Sequence, residues 1–294
     1  MANAVVPKEQ TNKNVIGIGT DGNTVNMDLW KYTPDEETGG YALNTKEGIA
    51  SGGERVAGYR GIVEEDGTIE GTVPQYIKEN NGDWTPVTSL YRTFQGDDST
   101  NEELKKLSTA PKIPTTVKSM QMTFENCQIL EKVTCIPGSV KDMKWAFDAY
   151  TALKEMPQIG YGVEIMIGTF AGCSELKKLT VLPDTVENLY YTFANCSSLQ
   201  EVPNIPSNVS NMRQTFWNCT KLGKIEITLP ENVENIHQTF AGCTNLEGII
   251  TINCNPKDYE NFLQGTTRPI TVTGESNMLN QIANSGRNDV TVIQ

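Results

Sequence analysis

The chain has 294 residues, of which 37% are hydrophobic and 20% are charged, and this composition is typical of a folded protein. Its 36 acidic and 24 basic residues give a net charge of -12, which disfavours binding to nucleic acid or to an anionic membrane. No apolar run approaches the ~18 residues of a membrane-spanning helix, so we predict no membrane insertion. The first 14 residues lack the apolar core of a signal peptide. Two possibilities follow: the protein is not exported, or its export segment has been removed.

Residues 1–85 lack the repeat that dominates the rest of the chain, and we predict that they form a β-rich N-terminal cap. Residues 24–33 alternate polar and apolar side chains with the period of a strand. Turn-forming residues at 37–40 and 65–68 predict two hairpins. Glycines 17, 19 and 22 have the spacing of a dinucleotide-binding loop, but that motif requires a helix next and a strand-like segment follows. We therefore interpret these glycines as a turn.

A repeated unit begins at Val87 and continues to Ile252. Its template is Val-x-x-Met-x-x-Thr-Phe-x-x-Cys-x-x-Leu-x-x-Val-x-x-Ile-Pro, and its phenylalanines are Phe94, Phe124, Phe147, Phe170, Phe193, Phe216 and Phe240. Their spacings are 30, 23, 23, 23, 23 and 24 residues, and Phe262 follows 22 residues later. A fixed period in this range is the mark of a solenoid, in which each coil completes its core only against its neighbours. We therefore predict that the phenylalanines form one continuous buried column.

The unit resembles the BspA-like (Treponema-type) bacterial leucine-rich repeat, whose pattern is Val-x-x-Ile-x-x-Ala-Phe-x-x-Cys-x-x-Leu-x-x-Ile-x-x-Pro. Most coils depart from that pattern in having Thr in place of Ala and Met or Leu in place of Ile. The resemblance implies an α/β repeat fold, a leucine-rich-repeat solenoid of about seven 23-residue coils, with a parallel sheet built from segments such as 176–183. By analogy alone, it also implies a non-enzymatic adhesion or binding role at a bacterial surface.

The pattern decays after Ile252, and we predict that the last residues form a degenerate α/β C-terminal cap, because the ends of a repeat array must be closed. Short helices are predicted at 255–264 and 276–286, and strands at 268–274 and 289–293. The predicted organisation is therefore an N-terminal cap at 1–85, repeats at 86–252 and a C-terminal cap at 253–294.

Five of the seven cysteines occupy one position of the repeat. They are Cys127, Cys173, Cys196, Cys219 and Cys243, with Tyr150 at this position in the third unit. Side chains of one column point the same way, so adjacent disulfides would disturb the register of the coils. The sequence contains no Cys-x-x-Cys pair of the kind that zinc sites commonly use. We therefore predict a column of buried free thiols and no metal site, with Cys135 and Cys254 off this column.

The sequence shows no recognisable catalytic constellation, and we predict neither an enzyme nor a cofactor. The single histidine, His237, has no Ser or Cys partner at a motif spacing. An acidic insertion contains Asp97, Asp98, Glu102 and Glu103. We interpret this insertion as a solvated loop, and a calcium site is the alternative.

Charged residues two positions after each repeat Leu alternate in sign. They are Lys132, Glu155, Lys178, Glu201 and Lys224. On a parallel sheet these side chains would stand on adjacent strands. We therefore predict a ladder of ion pairs that holds the register of the coils.

The two positions before each Thr-Phe pair vary from coil to coil and are rich in the residue types that interfaces favour. Together with the residue after Phe216, they supply the candidate ligand-binding residues: Tyr91, Trp145, Tyr190, Tyr191, Arg213, Trp217 and His237. These side chains either recognise a partner or cover gaps between coils. We predict a non-enzymatic module that binds a protein or glycan at the cell surface or outside the cell. The alternatives are a structural spacer or assembly subunit, and a cytoplasmic or viral protein-binding repeat protein.

Overall fold

The N-terminal part of the chain forms a six-stranded sheet in the computed structural model, which describes residues 15–43, 58–79, 82–95, 102–149, 151–274, 279, 281 and 290–293. The strands are β1 (Ile16–Gly19), β2 (Thr24–Val25), β3 (Thr33–Asp35), β4 (Gly40–Ala42), β5 (Pro74–Lys78) and β6 (Thr85–Ser89), in the spatial order β2-β1-β5-β6-β4-β3. All neighbours are antiparallel except β4 and β6, which run parallel. Ser89 at the end of β6 also bridges to Ser119, so the sheet leads directly into the solenoid.

The turns predicted in this part of the chain are confirmed. Residues 36–39 join β3 to β4, and residues 65–67 close a second hairpin. Of the three glycines interpreted as a turn, Gly17 and Gly19 belong to β1, and Gly22 lies in the turn between β1 and β2, in the left-handed region at φ 80°. This is a hairpin turn that leads into a strand.

The single strand predicted at 24–33 is wrong. Only Thr24–Val25 and Thr33 belong to strands, and a 3-10 helix at Met27–Leu29 separates them. The Asn26 side chain accepts a hydrogen bond from the Asp28 N–H at 3.1 Å and caps this helix. Such a local side-chain bond competes with the strand conformation that the alternation of polar and apolar residues favours.

A column of stacked phenylalanine rings forms the core of the solenoid. Its members are fully buried: Phe94, Phe124, Phe147, Phe170, Phe193, Phe216 and Phe240. Consecutive ring centroids lie 5.3–5.8 Å apart with interplanar angles of 4–13°, within the range of favourable ring packing. The column ends in edge-on contacts, with Trp30 5.9 Å from Phe94 and Phe262 5.5 Å from Phe240. The predicted leucine-rich-repeat solenoid is confirmed, and its described coils contain almost no helix.

Along the described solenoid, parallel strands form at two places. β7 (Cys135–Ile136) pairs with β8 (Gln158–Ile159), and β9 (Lys224–Leu229), β10 (Glu247–Ile252), β11 (Ile270–Gly274) and β12 (Val290–Ile293) form one sheet in that order. The segment 176–183 is not a strand and contributes one bridge, between Glu155 and Lys178. Thr180 has Pro157 and Pro203 at the equivalent positions of the two adjacent coils. Because proline has no N–H to donate, a regular ladder cannot form there.

The C-terminal segment continues the coil pattern. Residues 255–264 are not a helix as predicted, because they keep the repeat spacing and place Phe262 at the end of the phenylalanine column. The strands predicted at 268–274 and 289–293 are confirmed as β11 and β12. In the helix predicted at 276–286, Leu279 and Gln281 are helical, and the other residues lie outside the described part of the chain.

The predicted column of buried thiols is confirmed. The thiols of Cys127, Cys173, Cys196, Cys219 and Cys243 donate at 2.8–3.4 Å to the Phe carbonyl oxygens of preceding coils. All five are free and buried, as is Cys254, whereas Cys135 is free and exposed. Burial raises the pKa of Cys243 to about 12 and raises the pKa values of Cys196 and Cys219 well above their usual range. Position 150 lies outside the described residues.

The threonines that stand in place of alanine in the repeat bond one coil to another. The Thr192 hydroxyl donates to the Met166 carbonyl at 2.7 Å. Equivalent bonds of 2.8–2.9 Å are made by Thr123, Thr169, Thr215 and Thr239. These hydroxyls belong to fully buried side chains, and a buried hydroxyl is tolerated when it has such a partner.

The predicted ladder of alternating charges is largely wrong. Lys178 and Glu155 form an ion pair, but no other pair in the series does so among the described residues. Glu201 lies outside every strand and bridge, so its side chain is not held opposite its neighbours. Ion pairs occur instead in another column, where Lys257 lies 2.9 Å from Glu234.

Candidate functional site

The candidate residues follow a column of capping side chains. Single parallel bridges run from coil to coil through Ser89, Ser119, Asp142, Ile165, Asn188, Asn211, Asn235 and Asp258. The Asn188 side-chain oxygen accepts a hydrogen bond from the Tyr190 N–H at 2.9 Å, and Asn211 does the same for Arg213 at 3.0 Å. These Asx turns fix the direction in which the chain leaves the bridge column. Ser, Asp or Asn recurs two residues before six of the seven variable pairs, with Ile165 as the exception, and this recurrence is a sequence signal for the cap.

The second residue of each candidate pair has a left-handed backbone conformation. These residues are Arg92, Met122, Trp145, Gly168, Tyr191, Gln214 and Gln238, with φ between 53° and 61°. Bulky residues rarely adopt this conformation, which costs on the order of 1–3 kcal/mol. Gly168 shows that the repeat accepts glycine here. Trp145 and Tyr191 therefore present their rings from a strained backbone, a feature that they share with the equivalent residues of the other coils.

Four of the candidate rings contact one another, and we call Trp145, Tyr190, Tyr191 and Trp217 the aromatic patch. Tyr191 lies at its centre, with its ring centroid 5.8 Å from Trp145, 5.9 Å from Tyr190 and 5.9 Å from Trp217. All four side chains are half-buried. The rings of Trp145, Tyr191 and Trp217 thus pack against rings of other coils, and part of each remains at the surface.

Small residues in neighbouring coils allow these rings to meet. Gly168 lies in the coil between Trp145 and Tyr191, and a Cβ atom added to it would be 2.1 Å from Cε3 of Trp145. Trp217 occupies a position where the adjacent coils have Ala194 and Ala241. Its ring packs against Tyr191 with an interplanar angle of 29°. The patch therefore depends on glycine and alanine at neighbouring repeats as well as on its own aromatic residues.

Polar side chains border the patch near the Tyr191 hydroxyl. Asn195 Nδ2 donates to that hydroxyl at 3.4 Å, and Asn218 Nδ2 donates to Asn195 Oδ1 at 3.3 Å. Burial raises the pKa of Tyr191, and the charge of Asp148 adds to this effect. Burial also raises the pKa of Asp148. This border supplies amide groups and a carboxyl group that can hydrogen-bond to a partner.

The structure brings five of the seven candidate residues together. Arg213 joins the patch with its guanidinium 5.9 Å from the centre of the Tyr190 ring. Tyr91 lies apart, at the N-terminal end of the row, and packs against the Arg92 guanidinium at 5.2 Å. His237 is also separate, with its Nδ1 3.1 Å from Asp258 Oδ1.

Other places on the molecule do not include the candidate residues. A pocket of about 510 Å³ is lined by residues 259–266 with Gln281 and Val290. Within the acidic insertion, Glu102 and Glu103 belong to a 3-10 helix and pair with Lys105 and Lys106 at 3.0 and 2.7 Å. Asp97 and Asp98 lie outside the described residues. In the part of the chain that the structure describes, no group of three or more His, Cys, Asp or Glu side chains is arranged to hold a metal ion.

Comparison with known families agrees with this architecture. A family model described as BspA type leucine rich repeat region matches residues 105–222 and 161–263, with six copies of the repeat. The chain belongs to the BspA-type leucine-rich repeat family. Such repeats are generally non-enzymatic binding repeats. No curated protein matches the chain, and no helix among the described residues has the length and apolar character to cross a membrane.

Solved structures that resemble the chain include three leucine-rich repeat proteins. One from Bacteroides ovatus is 20% identical, with 92% of this chain and 76% of that one covered and a TM-score of 0.41. One from T. pallidum is 16% identical, with coverage of 90% and 96% and a TM-score of 0.44. A leucine rich cell surface protein from Faecalibacterium prausnitzii is 14% identical, with coverage of 78% and 94% and a TM-score of 0.26. Because all three TM-scores are below 0.5, none of these structures carries an argument about the function of this chain.

Proposed function

We propose that the chain is a non-enzymatic binding module of a bacterial surface or secreted protein, and that it recognises a protein partner through the aromatic patch. The observation that carries the proposal is the mutual contact of four half-buried rings centred on Tyr191. Trp and Tyr dominate the binding energy of protein interfaces, because they supply large contact area at a low cost in conformational entropy.

The scaffold beneath the patch supports this role. The rings of Trp145, Tyr190 and Trp217 each pack against Tyr191, and the Asx turn at Asn188 fixes the start of the Tyr190–Tyr191 pair. Side chains that are ordered before binding lose less entropy when a partner docks. A partner would therefore meet a preformed surface.

A surface location and a role in adhesion belong to the same proposal. BspA-type repeats are typically found on surface-associated bacterial proteins. For adhesion, such a module would have to bind a protein partner through its exposed repeats.

The test is a binding screen of the purified chain against a panel of purified extracellular proteins and polysaccharides, using biolayer interferometry. Each binder is then measured against a Trp145→Gly/Tyr191→Gly variant. Glycine is chosen because Gly168 occupies the same left-handed position, so the backbone should keep its conformation. Loss of two interface rings should weaken binding by about 100-fold or more, with little change in the thermal melt.

The matched control is Tyr161→Ala, because Tyr161 is 82% exposed and lies outside the patch. This variant should bind as the unchanged chain does. A protein whose affinity is the same for the unchanged chain and the double glycine variant would refute recognition through the patch. A polysaccharide that requires the patch would overturn the assignment of a protein partner.

A further inference from the structure

Arg213 differs from the other basic side chains at its repeat position. Lys144 lies 3.2 Å from Asp142, and His237 lies 3.1 Å from Asp258. Among the described residues, the Arg213 guanidinium forms no ion pair with a carboxylate. Its contact is with the face of Tyr190, its Nε atom is buried without a partner, and its terminal nitrogens donate no hydrogen bond to the described part of the chain. Part of its hydrogen-bonding capacity is therefore unused within the described chain.

Two side chains that neighbour Arg213 are uncharged. Tyr190 occupies the same position in the preceding coil, and the Asn211 side chain is engaged with the backbone N–H of Arg213. A half-buried guanidinium beside aromatic rings binds a carboxylate more strongly than an exposed one does, because less water competes for the charge.

We infer that the partner presents a carboxylate to Arg213 and an apolar or aromatic side chain to the rings, so that the ligand of the patch is an acidic peptide segment. The inference rests on the proposed function and names the chemistry of its partner. The net charge of -12 opposes the approach of an acidic ligand at long range. Selectivity must then come from contact at Arg213, and electrostatic steering would not accelerate association.

The experiment is selection from a phage-displayed library of random twelve-residue peptides on the purified full chain. Peptides that bind are synthesised and measured against Arg213→Gln and Trp145→Gly/Tyr191→Gly variants. The matched control is Arg268→Gln, which removes the same charge from a residue that lies 3.7 Å from Glu247 in the C-terminal coils. Thermal melts of all variants verify that they remain folded.

We expect the selected peptides to be enriched in Asp or Glu near an aromatic or aliphatic residue. Their affinity should fall about tenfold to 100-fold on Arg213→Gln, the effect of losing a charged hydrogen bond, and should be unchanged on Arg268→Gln. Replacing the peptide's acidic residue by its amide should give a similar loss, and the two changes together should add little further loss, because both remove the same pair.

Two results would overturn the inference. In the first, the selected peptides require the aromatic rings but carry no acidic residue, or they bind the Arg213→Gln variant as well as the unchanged chain. This result would refute recognition of a carboxylate by Arg213 and leave the proposed function standing. In the second, no selected peptide depends on the aromatic rings for binding, which would count against both this inference and the proposed function.

Discussion

Replacing Phe170 by Ala removes one ring from the middle of the phenylalanine column. Phe170 is fully buried and stacks on Phe147 at 5.4 Å and on Phe193 at 5.8 Å. A buried Phe→Ala change costs about 3–5 kcal/mol, because the cavity adds to the lost transfer free energy. Two ring contacts, each worth about 0.5–1.5 kcal/mol, are lost together. We therefore expect the free energy of unfolding to fall by an amount in the upper half of this range.

The matched variant is Phe262→Ala, which removes the same atoms at the end of the column. Phe262 is 4% exposed and meets Phe240 edge-on at 5.5 Å. Because it contributes one ring contact to the column where Phe170 contributes two, its loss should cost about 1 kcal/mol less. The difference between the variants isolates the effect of position in the column.

Urea denaturation followed by circular dichroism measures both variants. The dependence of stability on urea must be compared as well, because a defect in the middle of a repeat array can divide it into two unfolding units. Two outcomes would refute the view that the continuous column stabilises the solenoid. In one, Phe170→Ala lowers the free energy of unfolding by less than about 2 kcal/mol. In the other, it costs no more than Phe262→Ala when both variants depend equally on urea.

Three further substitutions test other parts of the structure. Gly168→Ala places a Cβ atom 2.1 Å from the Trp145 ring at φ 58°, so we expect a loss of about 1–3 kcal/mol and altered tryptophan emission. The control Gly22→Ala, at φ 80° with no atom within 4 Å, should be destabilised by backbone strain alone and keep its emission. Burial raises the pKa of Cys219 well above its usual value. As pH rises, this thiol therefore ionises in the unfolded chain before it does in the folded one, and the free energy of unfolding falls above about pH 9. In urea titrations, Cys219→Ala should make this fall shallower by up to about 1.4 kcal/mol per pH unit. If the variant and the unchanged chain lost stability with pH at the same rate, the burial of a neutral thiol would be contradicted. Thr192→Ala removes a 2.7 Å hydrogen bond to a preceding coil and should lower stability by about 0.5–1.5 kcal/mol; an unchanged calorimetric melt would show that this bond adds nothing.

The columns of the solenoid could be predicted from sequence because residue type and spacing recur together. Phe170 and Cys173 each repeat at intervals of about 23 residues, and the only fold in which every copy can be buried alike is a stack of coils. The prediction needed no knowledge of any single coil. Burial of the whole series follows from the period.

Features that depend on contacts between particular coils could not be predicted in this way. Residues 176–183 have the composition of a strand, but Pro157 and Pro203 in the adjacent coils remove the donors that a ladder at Thr180 needs. Residues 255–264 contain helix-forming residues, but packing Phe262 against Phe240 overrides that local preference.

The candidate site shows the same division. The aromatic residues themselves are visible in the sequence, as departures from the repeat. The contact between Trp145 and Tyr191 also requires Gly168 in the coil between them, so it depends on three successive units at once. The acidic partners of Lys144 and His237, which set these two residues apart from Arg213, are likewise contacts that the sequence does not show.

The bonds between coils have a consequence for how such chains can change in length. Side-chain hydrogen bonds such as those of Thr151, Thr169 and Thr239 join residues 23–27 positions apart, and this separation does not grow as coils are added. Closing each new loop therefore costs the same entropy, and the relative contact order falls as the array lengthens. A gene of this kind can gain or lose a whole coil without slowing the folding of the rest. A coil gained or lost between the N-terminal sheet and the aromatic patch would change their separation by about 4.8 Å.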